Sequence, residues 1–441
     1  MRLAVTWGIA VVLSGCGFFH SITTTPSTPQ EAIKRQIHQG PPAVLKAGAA
    51  RVEITPPVGV PLAGYSKRRG KPSTGIRDPL YVRAAALSDG EDTVLILSAD
   101  LLAFPQPVAE ELLTRLSREL GVPRSAIVLA ATHTHNGSGG IGHGLLFEQV
   151  FGAYNRRTLE GIEERILWAA RQAIKNSSPA RWGMASDPAA LQGLLENRAV
   201  PDGPADPAVG VLVLEGGKGD IQAVLISAAA HPTLMDSQDL RFSADFPGEI
   251  CRRVEESYPG SVCLFLNGAA GDARPRDVIG DSPDQRIERF GRAAAESVTG
   301  LVSRARIQER GDLAAWGAVF SLPAPQLRLG PIPIHPQIGR MMRPTHAFLN
   351  LITLDDVLLV PLSAEMTAEV GAELKRKLAD RSLTPLLVGY ANGYLGYVVT
   401  AQRYGSGSYE AWMTWYGPGM AQTLIRQIEE LAVLGSEKEG V

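Results

Sequence analysis

Ala126-Ile-Val-Leu-Ala-Ala-Thr-His133-Thr-His135-Asn-Gly-Ser-Gly-Gly140 decides how the chain is to be read. Residues Ala126–Ala131 form an apolar run of strand length, which ends in two histidines and opens into a glycine-rich loop. In open α/β sheets, ligands gather beyond the carboxyl ends of the strands. Glycines there let backbone approach a bound molecule closely. In an extended segment His133 and His135 point the same way, so both are expected to face one site. The same pattern also fits two surface histidines at a polar strand end.

Outward from this stretch the pattern recurs. Ala223-Val-Leu-Ile-Ser-Ala-Ala-Ala230 is a second apolar run, and it ends in His231-Pro232. Val357-Leu-Leu-Val360 is a third, followed by Pro361-Leu-Ser-Ala-Glu365. Glu365 stands near the start of a predicted helix, where an acid also complements the helix dipole. Two histidines and a glutamate make a known catalytic zinc set with an open position for water. The spacing is long-range, so no short motif carries the assignment. Asp100 ends a further apolar run. It reads equally as an orienting partner of a ligand histidine and as a cap or turn residue.

The rest of the chain alternates strand-length and helix-length patterns. Strands are expected over Thr93–Ser98, Ala126–Ala131, Val209–Glu215, Ala223–Ala228, Val262–Leu266, Ala315–Leu322, Ala347–Leu354, Val357–Val360 and Leu386–Tyr390. Helices are expected over Val108–Leu120, Leu159–Lys175, Glu249–Tyr258, Ile287–Ala305, Ala364–Leu378 and Met420–Ala432. Gly121 and Pro123 stop the first helix, and Asp245 with Pro247 reads as a cap and an early helical proline for the third. No repeat and no linker divides the region. The fold class is therefore α/β, with mixed β-sheets flanked by helices in a single large catalytic domain over 46–435. The chain has 441 residues, of which 20% are charged, with a formal charge of −2. That is ample for a large core, and nothing in it suggests a nucleic-acid partner.

The amino-terminal end points to export. Met1-Arg2 precedes an apolar run from Leu3 to Leu13 that is too short to span a bilayer. Leu13-Ser-Gly-Cys16 resembles the lipobox of bacterial lipoproteins. That resemblance implies a signal peptide over 1–16, lipidation of Cys16 and a place in the cell envelope: periplasm, outer membrane or cell surface. Residues 17–45, rich in Ser, Thr and Pro, read as a flexible tether with a short polar helix before Gly40-Pro41-Pro42. Cys251 and Cys263 fit either a disulfide or, preferably, two buried thiols.

The chain resembles the neutral, non-lysosomal ceramidases over about residues 47–420. The resemblance rests on Ala49-Ala-Arg-Val-Glu-Ile-Thr-Pro56, Ala63-Gly-Tyr65, Arg77-Asp-Pro-Leu-Tyr-Val-Arg-Ala84, Ser98-Ala-Asp-Leu101 and Thr132-His-Thr-His135. It continues through Glu196-Asn-Arg198, His231, Ser243-Ala-Asp245, Ala270-Gly-Asp272, Tyr397-Val-Val-Thr400, Tyr404, Tyr409-Glu410 and Tyr416-Gly-Pro418. It implies a Zn²⁺ held by His133, His231, Glu365 and Tyr397. It further implies that His135, Arg198 and Tyr409 line the reaction centre, and that the substrate is a small-molecule N-acyl lipid cleaved at its amide. With the lipid anchor, the partners expected are that substrate and a membrane.

Two departures bear on substrate. Where the family carries a serine before a proline, this chain has Gly271-Asp-Ala-Arg274-Pro275, which makes Arg274 a candidate for binding an anionic or polar substrate group. Its alternative is a surface arginine paired with Asp272 or Asp277. The family's carboxyl-terminal β-sandwich is not expected. Two rival functions stay open: a zinc hydrolase of another ester or non-lipid N-acyl bond, and a non-catalytic ligand-binding lipoprotein.

Overall fold

The computed structural model describes residues 36–37, 42–276, 281–329 and 332–436. The expected signal peptide, Cys16 and most of the expected tether lie outside the described residues. The larger of two sheets contains β1 (Lys46–Glu53), β2 (Tyr81–Ser88), β3 (Thr93–Ala99), β4 (Ile127–Ala131), β5 (Ser178–Asp187), β6 (Val209–Gly216), β7 (Ile221–Ala228) and β8 (Val262–Asn267). Their spatial order is β8-β7-β6-β5-β1-β2-β3-β4, and Arg306–Gln308 adds a ninth strand against β5. The second sheet is built from β9 (Leu313–Ser321), β10 (His346–Leu354) and β11 (Val357–Pro361). The pair β12 (Glu365–Met366) follows, then β13 (Thr384–Val388) of the second sheet, and β14 (Tyr397–Val398), the partner of β12. Gln36–Ile37 pairs with β9, so strand structure reaches back into the segment read as tether and helix.

Helices cover the sheets: α1 (Gln106–Leu120), α2 (Arg156–Lys175), α3 (Asp245–Ser257), α4 (Pro283–Val302), α5 (Ala368–Ala379) and α6 (Met420–Ser436). Each forms where its apolar residues fall on one face. In α1, Ala109, Leu112, Leu113 and Leu116 are buried, and Gly121 at φ +68° closes the helix. Ser282 and Gln285 form a capping box at the start of α4. No described helix is long and apolar enough to cross a membrane.

Three neighbouring strand pairs run parallel: β3–β4, β7–β8 and β11–β13. Parallel pairs need a long crossover, here supplied by α1, α3 and α5. The crossovers bring three strand ends to one side of the molecule. Strand β8 also packs across β1 to β4. The buried run Ala84-Ala85-Ala86 leaves room for that approach. Ser98 Oγ donates to the Phe265 carbonyl at 2.6 Å, and Asn267 Nδ2 to the Thr132 carbonyl at 3.1 Å.

The two sheets are joined at the edge of β4. Ala131 N donates to the Tyr390 carbonyl at 3.1 Å, and Asn392 N to the Leu129 carbonyl at 2.8 Å. Asn392 Oδ1 accepts from Leu129 N, and its Nδ2 donates to Asn350 Oδ1, both at 2.8 Å. Tyr390 and Asn392 both take positive φ, at 53° and 59°. An otherwise open strand edge is thereby covered.

Every expected strand is present within a few residues. Strands β1, β2 and β5 were not expected. Lys46–Glu53 and Tyr81–Ser88 are alanine-rich with arginines inside, and Ser178–Asp187 holds Pro179 and Gly183, so none shows strand periodicity. Helix α5 starts at Ala368 rather than 364, because Glu365 N and Thr367 N bond the carbonyls of Gly396 and Val398 across the β12–β14 pair. Cys251 and Cys263 are buried free thiols.

Candidate metal centre

His133 follows β4 but is not extended. Its φ is +70°, and its N–H donates to the Leu101 carbonyl at 2.9 Å. The expectation from strand alternation is therefore corrected: a left-handed turn, not the pleat, brings His133 and His135 together. Such a conformation costs a non-glycine residue roughly 1–2 kcal/mol and persists only where the surroundings impose it. His133 Nδ1 lies 2.7 Å from the Leu102 carbonyl and His231 Nδ1 3.1 Å from the Ala270 carbonyl. Each Nδ1 therefore carries the proton, which leaves each Nε2 lone pair facing inward. His231 is placed by the turn after β7, where its N–H donates to the Ala273 carbonyl at 2.9 Å.

His135 Nε2 lies 3.4 Å from His133 Nε2 and 3.0 Å from His231 Nε2. The three side chains form a group with mutual ligand-atom distances within 4.8 Å. Glu365 Oε1 lies 3.5 Å from His133 Nε2 and 3.6 Å from His231 Nδ1. It is buried and has no hydrogen-bond partner, while Oε2 accepts from the Tyr394 hydroxyl at 2.6 Å. A carboxylate oxygen left bare beside two imidazole nitrogens is a costly arrangement unless a cation completes it. The donor set of neutral nitrogens and hard oxygens fits Zn²⁺.

Glu365 stands opposite Tyr397 in the parallel β12–β14 pair, so the ladder register pairs the two residues. This replaces the expected placement of Glu365 at a helix start. Gly271 permits it: its N–H donates to the Met366 carbonyl at 2.7 Å, and a Cβ there would sit 2.8 Å from that oxygen. The Tyr397 hydroxyl accepts from Arg198 Nη2 at 2.8 Å. Arg198 Nη2 also donates to the Gly271 carbonyl at 2.8 Å, and its Nε lies 3.3 Å from Glu410 Oε1. Tyr409 meets Tyr397 edge-on, with centroids 5.8 Å apart, and is 56% exposed, so it forms the outer rim.

Burial, then the neighbouring side chains, sets the charge states. It holds the His135 and His231 imidazoles well below their usual range, reinforced at both by His133 and Arg198. Burial pushes Glu365 up, yet His133 and Arg198 outweigh it, and the carboxyl lies below its ordinary value. Tyr397 is pushed well up by burial, then by Glu365.

Two further candidates are held by partners other than the histidines. Asp100 touches no histidine; its Oδ2 accepts from Tyr81 N at 2.9 Å and Arg83 Nη1 at 2.8 Å. It forms a buried ion pair inside the larger sheet. Arg274 binds Glu196, with Nε at 2.9 Å and Nη2 at 2.7 Å, in the short ladder of Ala273–Pro275 with Leu195–Asn197. Of the two partners expected for it as a surface arginine, Asp272 accepts from Asn197 and Arg403, and Asp277 lies outside the described residues. Residues missed by sequence reasoning include Tyr394, which orients Glu365, and Tyr390, whose ring stacks on His133 at 3.8 Å, while Glu410, quoted without a role, backs Arg198. The spacing Tyr390, Tyr394, Tyr397 is the only trace they leave in the sequence. Gly64 was noted without a role; a Cβ on it would lie 2.7–2.8 Å from His135 atoms, so glycine makes room for that imidazole.

Residues 45–261 match the family described as neutral/alkaline non-lysosomal ceramidase, N-terminal. The chain is 23% identical to the neutral ceramidase of Pseudomonas aeruginosa, over 89% of this chain and 72% of that protein. It is also 23% identical to the neutral ceramidase of Mycobacterium tuberculosis, over 84% of this chain and 74% of the relative. Among solved structures, the Pseudomonas aeruginosa neutral ceramidase superposes with a TM-score of 0.78 at 20% identity, covering 90% of this chain and 76% of that one. A ceramidase complexed with C2 gives 0.79 at 20% identity, over 90% and 77%. These likenesses show the fold.

Proposed function

Since the chain belongs to the neutral/alkaline non-lysosomal ceramidase family, we propose that it hydrolyses the amide of a ceramide-class N-acyl lipid, with Zn²⁺ held by His133, His231, Glu365 and Tyr397. The observation that carries this reading is the bare, buried Glu365 Oε1 beside the imidazole nitrogens of His133 and His231. When bound, such an ion supplies Lewis-acid polarisation and activates water near neutral pH. The chain's own residues do the rest. The Leu102 and Ala270 carbonyls fix the two ligand tautomers, and Tyr394 fixes the carboxylate. Neutral His135, whose buried Nδ1 has no partner, takes a proton from water and passes it to the leaving nitrogen. Arg198 and Tyr409 donate to the developing oxyanion, where one such donor contributes roughly 3–4 kcal/mol. Lipidation at Cys16 would keep the domain at the cell envelope, on the side from which an N-acyl lipid is reached.

A second reading has its own observation. His135 Nε2 lies as near His231 Nε2 as any ligand pair, at 3.0 Å, which also suits a three-histidine set with Glu365. Metal content separates the two. In the first reading His135→Ala keeps zinc and loses turnover; in the second it loses both. His133→Ala should lose zinc and hydrolysis of labelled ceramide in either case. Full turnover in His133→Ala, or in the metal-stripped chain, refutes metal-dependent hydrolysis. A panel of N-acyl lipids, N-acyl amino compounds and esters tests the substrate class.

A further inference from the structure

The two histidines read as ligands are each fixed by a ring hydrogen bond, His133 Nδ1 to the Leu102 carbonyl and His231 Nδ1 to the Ala270 carbonyl. His135 is not: its buried Nδ1 has no hydrogen-bond partner among the described residues. Its aim therefore comes from its own backbone and from what packs on the ring. Both lead to one side chain. Arg68 Nη1 donates to the His135 carbonyl and, at 3.0 Å, to the Ala63 carbonyl. Arg68 Nη2 donates to Asn136 Oδ1 at 2.8 Å and to the carbonyls of Asp239 at 3.0 Å and Asp236 at 3.3 Å, while Nε donates to the Ser237 carbonyl at 3.3 Å. The guanidinium also lies over the Tyr65 ring at 4.7 Å, and that ring meets the His135 imidazole with centroids 4.8 Å apart.

Arg68 is 2% exposed. Each of the acceptors just named is a neutral carbonyl or amide oxygen. A buried charge is costly unless its donors are filled. A planar fork of donors is filled this way only where the acceptors are held around it. These acceptors come from three stretches: the turn before Arg68, the motif that carries His135, and the loop between His231 and α3. With its donors turned inward, Arg68 does not reach a bound substrate and cannot serve as an oxyanion donor. We propose that Arg68 is the positioning residue of His135: its fork fixes the His135 carbonyl and its cation backs the Tyr65 ring, and together they aim the imidazole. The inference rests on the reading of His135 as the proton-transfer group and names what orients it.

The test compares Arg68→Ala and Arg68→Lys with the parent, each as the full chain. Zinc content should be unchanged, because Arg68 bonds neither His133 nor His231. On labelled ceramide kcat should fall about 100-fold in both variants with KM little changed, since displacing a reacting group is that costly while substrate contacts stay. Lysine keeps the charge but not the fork, so it should not restore turnover. Guanidinium chloride at a non-denaturing concentration should raise kcat of Arg68→Ala about ten-fold by filling the vacated place, and sodium chloride should not. In chains labelled with ¹⁵N-histidine, the His135 ring signals, assigned with His135→Gln, should be single in the parent and doubled or broadened in the variants, with those of His133 and His231 unmoved. An arginine that served stability alone would lower the melting temperature and leave kcat and these signals as in the parent. Where Arg68→Ala does not fold, Arg68→Lys carries the comparison of kcat, KM and ring signals. Parent-like kcat and His135 signals, full restoration by lysine, a rise in KM with kcat unchanged, or loss of zinc from a folded variant each overturns the proposal. A parent that hydrolyses no N-acyl substrate, yet whose His135 signals respond to Arg68 as expected, refutes the hydrolase reading and leaves Arg68 as the group that holds the ring.

Discussion

Replacing Tyr394 with Phe removes one oxygen and keeps the ring that packs against Trp415 at 5.4 Å. The lost bond is the 2.6 Å donation to Glu365 Oε2, made to a 1% exposed carboxylate. A hydrogen bond to a buried charge contributes about 1.5–3 kcal/mol. Loss of a group that orients a metal ligand typically costs roughly 10–100-fold in metal affinity, which is the same scale. Tyr394→Phe should therefore bind zinc about 10–100-fold more weakly, with a fall in kcat and little change in fold. The measurement is a competition titration against a chromophoric zinc chelator, with far-UV circular dichroism as the control for folding. Glu365→Gln is the companion variant and should lose more. Zinc affinity unchanged in Tyr394→Phe while Glu365→Gln loses it would show that the Tyr394 contact does not orient a ligand. Equal, intact zinc binding in both would remove Glu365 from the centre altogether.

Three further outcomes follow from the packing. Gly64→Ala places a methyl 2.7–2.8 Å from His135 at a residue with φ +110°; turnover should fall about 100-fold while zinc stays bound, since small displacements of reacting groups are that costly. Parent-like kcat would contradict this. Arg83→Met strands the fully buried Asp100 and should destabilise by about 3–5 kcal/mol in urea titration, with Asp100→Leu restoring part of it. A single variant as stable as the parent would refute that pairing. Glu163 on α2 is raised to about 7 by burial and then by Glu111. Its folded state holds the proton more tightly than the unfolded chain, so its contribution is present below the unfolded value and is lost as pH rises through about 7. Glu163→Gln should gain ~1–2 kcal/mol at pH above 8 after allowance for partial exposure, and almost nothing at pH below 4. Equal gains at both would exclude the titration.

The strand-end histidines were legible because an apolar run that stops in a polar residue is a local pattern. His133 and His231 each needed only their own strand to be noticed. Tyr397 and Tyr409 were not legible that way: they enter by resemblance, and no periodicity marks the two-residue pair that sets Tyr397 beside Glu365. Glu365 itself was noticed, yet assigned to a helix, because Ala364–Leu378 has helical composition up to the point where backbone bonds to Gly396 and Val398 override it. Strands β1 and β2 escaped for a related reason. Their alanines serve the close approach of β8, a demand from elsewhere in the fold that leaves no period of two. Asp100 shows the limit of that pattern: its two readings could not be separated from the strand end alone, and the structure commits the carboxylate to Arg83 and Tyr81 N.

The two halves of the chain bring different atoms to the centre. Everything up to β7 and its turn contributes nitrogen, from His133, His135 and His231, whereas the oxygens of Glu365 and Tyr397 arrive only with the β12–β14 pair. On the proposed ligand set, then, the full donor set for a cation would be complete only once the second sheet has closed over the edge of β4. Because the energy of binding an ion is shared with that closure, an ion held by both sets would tie the second sheet to the first, across a core the two already share. Its retention would certify that the last ligand-bearing segment has been made and docked.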